Sequence, residues 1–385
     1  MKPPRILFYT HGLVDGGGER LWACLATAFH ERGYDVLFAQ DFEADDNRAN
    51  LAAGIPLHTL GRNPLTATRN LARLLAEERP DVALSALGAS NLKLLLATAF
   101  ARVPTQPIVT YHGEMEWKTG WFSYFSYLGL PLLSRWAART VAVSDGLFDV
   151  LTTRWKASPK RMETINNPVF FPRDAAVPTA QDLAARDNIV LAVGRLVPEK
   201  DFVTLIRAFA RVKTPGARLV ILGKGPEQHR IEAEIRRLKL QDRVHLPGYM
   251  KEPWTIYGAA KCFVSSSMSE PFGNVVVEAM AFGLPIVATA CSGPHLILEH
   301  GTYGRIVGIG NHVQLANAID ATLAAPGDPA LRRTRAESFS FDARVPAYED
   351  LVRLVLEETG SRASSERNWL HPRRPPTNEA GHDPV

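Results

Sequence analysis

Short runs of consecutive apolar residues recur along the chain, each followed by a glycine-bearing loop or a stretch of helical periodicity. Arg5–Thr10 (RILFYT) leads into a glycine loop and a helical pattern near Glu19–Arg32. Asp35–Ala39 (DVLFA), Asp81–Ser85 (DVALS), Pro107–Thr110 (PIVT) and Thr140–Val143 (TVAV) follow. These runs show little polar alternation, which is how strands covered on both faces read, so the pattern predicts a parallel sheet with helices on each side. The rhythm breaks over 170–188, a polar, proline-containing stretch, and restarts with Ile189–Val193, Arg218–Leu222, Arg243–His245, Ala260–Val264 and Pro285–Thr289.

The expected fold class is therefore α/β, with two Rossmann-like, doubly wound parallel-sheet domains facing each other across a cleft. The expected division is a first domain over 1–172, a linker over 173–187 and a second domain over 188–345. A helix over 346–360 would return toward the first domain. The tail 361–385 is rich in Pro, Arg and Ser and is expected to be disordered. At roughly 150 residues per domain, 385 residues fit this count. In such sheets ligands bind beyond the carboxyl ends of the strands, so a ligand gripped by both domains is the default expectation.

Composition narrows the function. Apolar residues at 46% and charged residues at 22% fit a globular protein and exclude a disordered or coiled-coil chain. A net charge of +4, from 44 basic and 40 acidic side chains, is too weak to argue for nucleic-acid binding. Cys24, Cys262 and Cys291 are scattered and form no C-x-x-C pair, which fits a reducing compartment and gives no zinc or disulfide signal. The stretch 1–5 lacks the apolar run of a secretory signal. The uncharged window 279–298 is broken by Gly283, Pro285, Gly293 and Pro294, and the window 119–134 is short and holds Pro131, so no transmembrane span is expected.

Candidate chemistry sits in the loops after strands. Asp15-Gly16-Gly17-Gly18-Glu19-Arg20 opens a helix, and its glycines would let backbone N–H groups approach an anion or simply form a tight turn. It is not a full dinucleotide fingerprint, because Leu21 stands where a third glycine belongs. In Gly194–Asp201, Arg195 and Lys200 lie five apart and pair a donor fork with a mobile charge, suited to a diphosphate. Gly223-Lys224-Gly225-Pro226 is a second glycine turn. In Glu270–Met280, Asn274 reads as a helix N-cap, so the N–H groups of Gly273, Asn274 and Val275 would face an anion. Glu270 and Glu278 flank that helix start, and a carboxylate there can accept two hydroxyls of a ribose or sugar. His112, in Tyr111-His112-Gly113-Glu114, could donate to a sugar oxygen or be structural.

Taken in this order, the motifs resemble those of the retaining glycosyltransferases of family 4, which have the GT-B fold. GGGER resembles the family's glycine loop, GRLVPEKD its diphosphate clamp and GKGP its second glycine turn. Glu270 and Glu278 have its E-x7-E spacing, INNPV (165–169) resembles the close of the first domain, and YGRIV (303–307) a late loop. The resemblance implies that Arg195 and Lys200 hold the diphosphate of a nucleotide-sugar donor, that Glu278 binds the ribose, and that Glu270 faces the donor sugar near the reacting centre. Gly273, Asn274 and Val275 would give backbone contacts, Gly16 and Gly17 would approach from the other domain, and His112 would reach the transferred sugar. Tyr249 and Met250 would lie by the base. A UDP-sugar is the favoured donor and GDP-mannose the alternative. A glycan or lipid-linked molecule in cell-surface polysaccharide synthesis would accept the sugar. A non-catalytic sugar-nucleotide binder of the same fold stays open. Pro271 stands where the family often has Gly, and CSGPH (291–295) shortens a common CPSGP run. No D-x-D motif occurs, so no metal or other cofactor is expected.

Trp117, Trp121, Phe122, Tyr124, Phe125, Tyr127 and Trp136 crowd one segment, with Lys118, Arg135 and Arg139 around it. It reads either as a core helix or as an interfacial stretch that docks on the cytoplasmic face of a membrane. The expected location is the cytoplasm, with peripheral membrane contact through this segment as the open question.

Overall fold

The apolar runs form strands of two all-parallel sheets in the computed structural model, which describes residues 3–14, 16–114 and 116–358. The tail 361–385, and Asp15 of the first glycine loop, lie outside the described residues. The first sheet contains β1 (Arg5–Thr10), β2 (Asp35–Gln40), β3 (Leu57–Thr59), β4 (Val82–Ala86), β5 (Gln106–Tyr111), β6 (Arg139–Ala142) and β7 (Met162–Thr164). Its order is β3-β2-β1-β4-β5-β6-β7. The second contains β8 (Ile189–Val193), β9 (Arg218–Leu222), β10 (Val244–Gly248), β11 (Cys262–Ser265), β12 (Ile286–Thr289) and β13 (Arg305–Val307), in the order β10-β9-β8-β11-β12-β13. The predicted class, two doubly wound Rossmann-like sheets, is the class observed.

Strand order reverses at β1 in the first sheet and at β8 in the second. Each reversal opens a crevice at the carboxyl ends of the strands. The glycine loops after β1, β8 and β9 sit at these two crevices. Register is even through the centre: Leu7 pairs with Leu37 and Ala83, and Leu191 with Val220 and Phe263.

Both faces of the first sheet are buried, which explains the missing polar alternation. Ile6 and Phe8 pack with Trp22 and Phe29 on one side, while Leu7 and Tyr9 pack with Leu71 and Leu75 on the other. The strands that the apolar runs do not announce, β3, β7 and β13, are three residues long and lie at sheet edges. Three residues are too few for a period to register. YGRIV, expected as a loop, contains β13 for this reason.

The last helix, Phe341–Glu358, buries Val345, Tyr348, Leu351, Val352 and Val355 in the core built by Ile6, Phe8 and Trp22 of the first domain. Each such side chain contributes about 1.5–3 kcal/mol on burial, so the helix is a structural part of that domain. Arg139 Nη2 to Glu358 Oε1 (2.5 Å) ties its end. The chain thus crosses between domains twice, and the two crossings are stitched where Val169 N donates to Phe339 O (2.8 Å). Among the described residues no helix is long and apolar enough to cross a membrane.

Candidate active site

Loops from both sheets meet in one cleft. Its floor is made by two glycine turns laid on each other. Gly194 N donates to Leu222 O (3.0 Å), Leu196 N to Lys224 O (2.9 Å) and Glu227 N to Leu196 O (2.9 Å). A Cβ added at Gly223, whose φ is +148°, would stand 1.9 Å from Gly194 O, so these backbones approach in a way only glycine permits. The result is a rigid shelf that presents Arg195 to the cleft.

The second wall is the helix Asn274–Ala281. The expected cap is corrected here: Gly273, at φ +104°, is the N-cap, and Asn274 is the first helical residue. The reason lies in the Asn274 side chain. Its Oδ1 accepts from Asn167 Nδ2 (3.1 Å) of the first domain and bonds no N–H of its own helix. Asn274, Val275 and Glu278 line the cleft. Glu278 Oε2 accepts from the buried Tyr257 hydroxyl (2.9 Å). Burial pushes the Glu278 carboxyl above its ordinary range, while Arg20 and the Tyr257 bond pull it back.

The first domain supplies the opposite wall: Gly16, Gly17 and Arg20. Gly17 stands so close to the other domain that an added Cβ would lie 3.4 Å from Asn274 Nδ2. The Arg20 guanidinium lies over the rings of Phe170 (5.2 Å) and Trp254 (5.6 Å). It is therefore held between the end of the first domain and the second domain. Tyr249 and Met250, both exposed, close the outer end, with Lys224 Nζ 5.0 Å from the Tyr249 ring centroid.

Four expected site residues are not among those lining this cleft: Lys200, Glu270, Gly273 and His112. Arg195 lines the cleft, while Lys200 Nζ is ion-paired with Glu270 Oε2. The loop after β11 is tied to the same region, with Ser266 Oγ donating to Lys200 O (2.9 Å) and Met268 N to Glu199 O (2.7 Å). His112 is half-buried beside Trp22, with ring centroids 5.9 Å apart. Its Nε2 lies 2.9 Å from Thr110 Oγ1. Burial pushes the imidazole down to about 4, against the upward pull of Asn167, so it is neutral at pH 7.

Sequence reasoning missed Arg20, Tyr257, Asn167 and Glu114. Glu114 joins the domains near Glu270, accepting from Ser269 Oγ (2.9 Å) and Ser292 Oγ (3.3 Å). Arg20 and Glu114 stood inside quoted motifs, and a charge one turn beyond a strand-end loop was the available signal. Asn167 stood inside the quoted INNPV run without a role assigned, and Tyr257 left no signal.

The aromatic segment divides. Phe122 and Tyr127 point inward, and Tyr127 meets Tyr111 and Trp155 edge to face. Trp121 (60% exposed), Phe125, Leu128, Leu132 (72%) and Trp136 form an outward stripe along the helices Trp121–Leu128 and Leu130–Trp136. Arg135, Arg154, Lys156, Lys160 and Arg161 are exposed beside it, held close by the Ser158 N to Ser134 Oγ bond (2.9 Å).

Comparison with known proteins identifies the family and the fold. The model for glycosyl transferases group 1 matches residues 177–338, and the model for glycosyltransferase family 4 matches residues 15–170. A lipopolysaccharide core biosynthesis glycosyltransferase of Rhizobium meliloti, LpsE, is 28% identical over 352 residues, covering 88% of this chain and 96% of its own. The N-acetylgalactosamine-N,N'-diacetylbacillosaminyl-diphospho-undecaprenol 4-alpha-N-acetylgalactosaminyltransferase of Campylobacter jejuni is 30% identical over 221 residues, 55% of this chain and 58% of its own. Among solved structures, Anabaena HepE in complex with UDP-glucose superposes with a TM-score of 0.76 at 21% identity, over 93% of this chain and 99% of that one.

Proposed function

The chain belongs to the family 4 glycosyltransferases of GT-B fold, and from that premise we propose that it is a retaining transferase. In this reading it moves a hexosyl or N-acetylhexosaminyl group from a UDP-sugar to a hydroxyl of a glycan or lipid-linked acceptor in cell-surface polysaccharide synthesis. The observation that carries the reading is the two-sided cleft: Arg195, the N-terminus of the Asn274 helix and Glu278 on one side, Gly16, Gly17 and Arg20 on the other. A cation, free backbone N–H groups and a carboxylate set apart from the cation suit a diphosphate followed by a ribose.

As the C1–O bond of the donor stretches, negative charge grows on the leaving diphosphate. Arg195 and the helix N-terminus stabilise it in place, and Lys200 joins them when the diphosphate draws it from Glu270. The acceptor oxygen attacks C1 from the face the phosphate leaves, and its proton passes to the departing phosphate oxygen. The configuration is retained without a covalent enzyme intermediate. Glu270, released as Lys200 turns to the diphosphate, positions the sugar rather than attacking it. Closure of the two domains excludes water and limits hydrolysis of the donor.

The names of relatives favour a lipid-linked acceptor, since the Campylobacter protein acts on a diphospho-undecaprenol substrate. The outward aromatic stripe with its basic border suits contact with an anionic leaflet, which brings such an acceptor to the first domain. The test is calorimetric titration with UDP and GDP, followed by turnover with each nucleotide-sugar and assignment of the product anomer by NMR. Micromolar UDP binding lost in Arg195→Ala, with retention at C1, supports the reading. GDP binding alone selects the mannosyl alternative, and no nucleotide binding removes both.

A further inference from the structure

The helix Trp121–Leu128 buries hydroxyls and exposes rings. Ser123, Ser126 and Tyr127 are buried, while Trp121, Phe125 and Leu128 on its other side are exposed. A helix that packs only to hide apolar surface turns its rings inward. Phe122 does so here, but three hydroxyls share its face, and burying a hydroxyl is unfavourable unless it is bonded. All three are bonded to the segment that follows β5. Ser126 Oγ lies 2.8 Å from Tyr111 Oη, the Thr119 hydroxyl donates to Ser123 Oγ (2.9 Å), and the Tyr127 hydroxyl donates to Gly113 O (2.5 Å).

Gly113 stands between two residues that are themselves held. His112 N, before it, donates to Glu116 Oε1 (3.2 Å). Glu114, after it, accepts from Ser269 Oγ (2.9 Å) and Ser292 Oγ (3.3 Å) of the second domain, and Ser269 precedes Glu270 in the chain. The tyrosine that grips the middle residue is fixed in turn. Its ring meets Tyr111 and Trp155 edge to face, at 5.1 and 5.2 Å between centroids, and Gly88 makes room for it, since a Cβ there would stand 3.2 Å from Tyr127 Cε2.

We propose that Tyr127 is a positioning residue of the glycosyl transfer. By holding Gly113 O it fixes the span His112–Glu114, and with it the place where the first domain meets the loops around Glu270. Tyr127 is fully buried, so it acts through the loop and not on substrate. Without its bond Gly113 O is unmet and the loop is free to shift, and a misplacement on the order of 1 Å near reacting groups is enough to cost rate. The inference rests on the donor-site reading for its effect on turnover, while the order it imposes on the loop depends on no substrate.

Tyr127→Phe tests it, removing the hydroxyl and keeping the ring. Tyr111→Phe is the matched control, deleting an equally buried hydroxyl that bonds the same helix at Ser126 instead of the loop. Both should lower Tm by about 1–2 °C, the worth of one hydrogen bond in a protein of this size. Only Tyr127→Phe should lower kcat, by about 3–10-fold, with the donor KM within about twofold. Hydrogen–deuterium exchange reads the loop without substrate: peptides containing His112–Glu114 should exchange about threefold faster in Tyr127→Phe and at the wild-type rate in Tyr111→Phe. A wild-type kcat in Tyr127→Phe, or an equal loss in both variants, overturns the proposal. Should the wild type bind no nucleotide, the donor-site reading fails and the exchange arm decides: faster exchange in Tyr127→Phe alone upholds the placement, and unchanged exchange overturns it.

Discussion

Lys200→Ala and Glu270→Ala, singly and together, probe the one contact that the unliganded site and the proposed reaction must share. Lys200 and Glu270 are ion-paired with side chains 22% and 12% exposed. Breaking a fully buried pair by removing one partner costs about 3–5 kcal/mol, while an exposed pair is worth about 0–1 kcal/mol. This pair lies between those limits, so each single variant should lose about 1–3 kcal/mol. At about 2.1 cal/mol/K per residue over 385 residues that is a fall of roughly 1–4 °C in Tm. The double variant should recover part of the loss, because no uncompensated charge remains, giving a coupling of about 1 kcal/mol or more. Saturating UDP-sugar changes the picture. If the diphosphate draws Lys200 away from Glu270, the coupling shrinks in the bound state, and Lys200→Ala loses about 10²–10³ in kcat for want of a cation on the leaving group. Differential scanning fluorimetry with and without donor, beside initial-rate kinetics, reads every quantity. The reasoning is refuted if the coupling is the same with and without donor while Lys200→Ala turns over at the wild-type rate.

Glu116 gives a pH prediction. Burial pushes its carboxyl up from 4.5 to about 7, against bonds from Gly88 N (3.0 Å) and His112 N (3.2 Å). The folded state therefore holds a proton that the unfolded chain releases, so wild-type stability falls as pH rises from about 4.5 to about 7, by on the order of 1–3 kcal/mol. Glu116→Gln should flatten that limb in urea titrations run across the window; an unchanged slope refutes the assignment. Gly223→Ala should cost at least about 3 kcal/mol and abolish UDP binding, because its Cβ would overlap Gly194 O at 1.9 Å. A Tm within 2 °C of wild type would mean the shelf is not built as described. Trp121→Ser, Phe125→Ser and Trp136→Ser combined should leave Tm nearly unchanged, since all three are exposed, and remove co-sedimentation with anionic vesicles. No wild-type sedimentation at low salt would exclude the leaflet contact.

The sequence announced what depends on local chemistry. Central strands showed themselves as unbroken apolar runs because both faces of each sheet are covered, and Gly223 marked its turn because no other residue permits that crossing of backbones. Edge strands of three residues gave no period. The aromatic segment could not be assigned to core or surface because both readings hold. Phe122 and Tyr127 take one side of the helices, and residues 121, 125, 128, 132 and 136 take the other.

Contacts between the domains were illegible for a different reason. Asn167 meets Asn274 across 107 positions, and Ser269 meets Glu114 across 155. Neither spacing constrains anything before the chain has folded. Residue type alone misled at Asn274: asparagine at a helix start reads as a cap, yet here a glycine with positive φ turns the chain and frees the asparagine for the opposite domain. The same holds for the two glutamates eight residues apart. Their spacing suggests one shared role, but their surroundings divide them. Glu270 is held by a lysine of its own domain. Glu278 is half-buried beside Tyr257 and balanced by Arg20 from the other domain. The carboxylate assigned to the ribose is thus the one whose charge depends on both halves of the protein. Separating the domains removes Arg20 from Glu278 at the same stroke that opens the cleft to water.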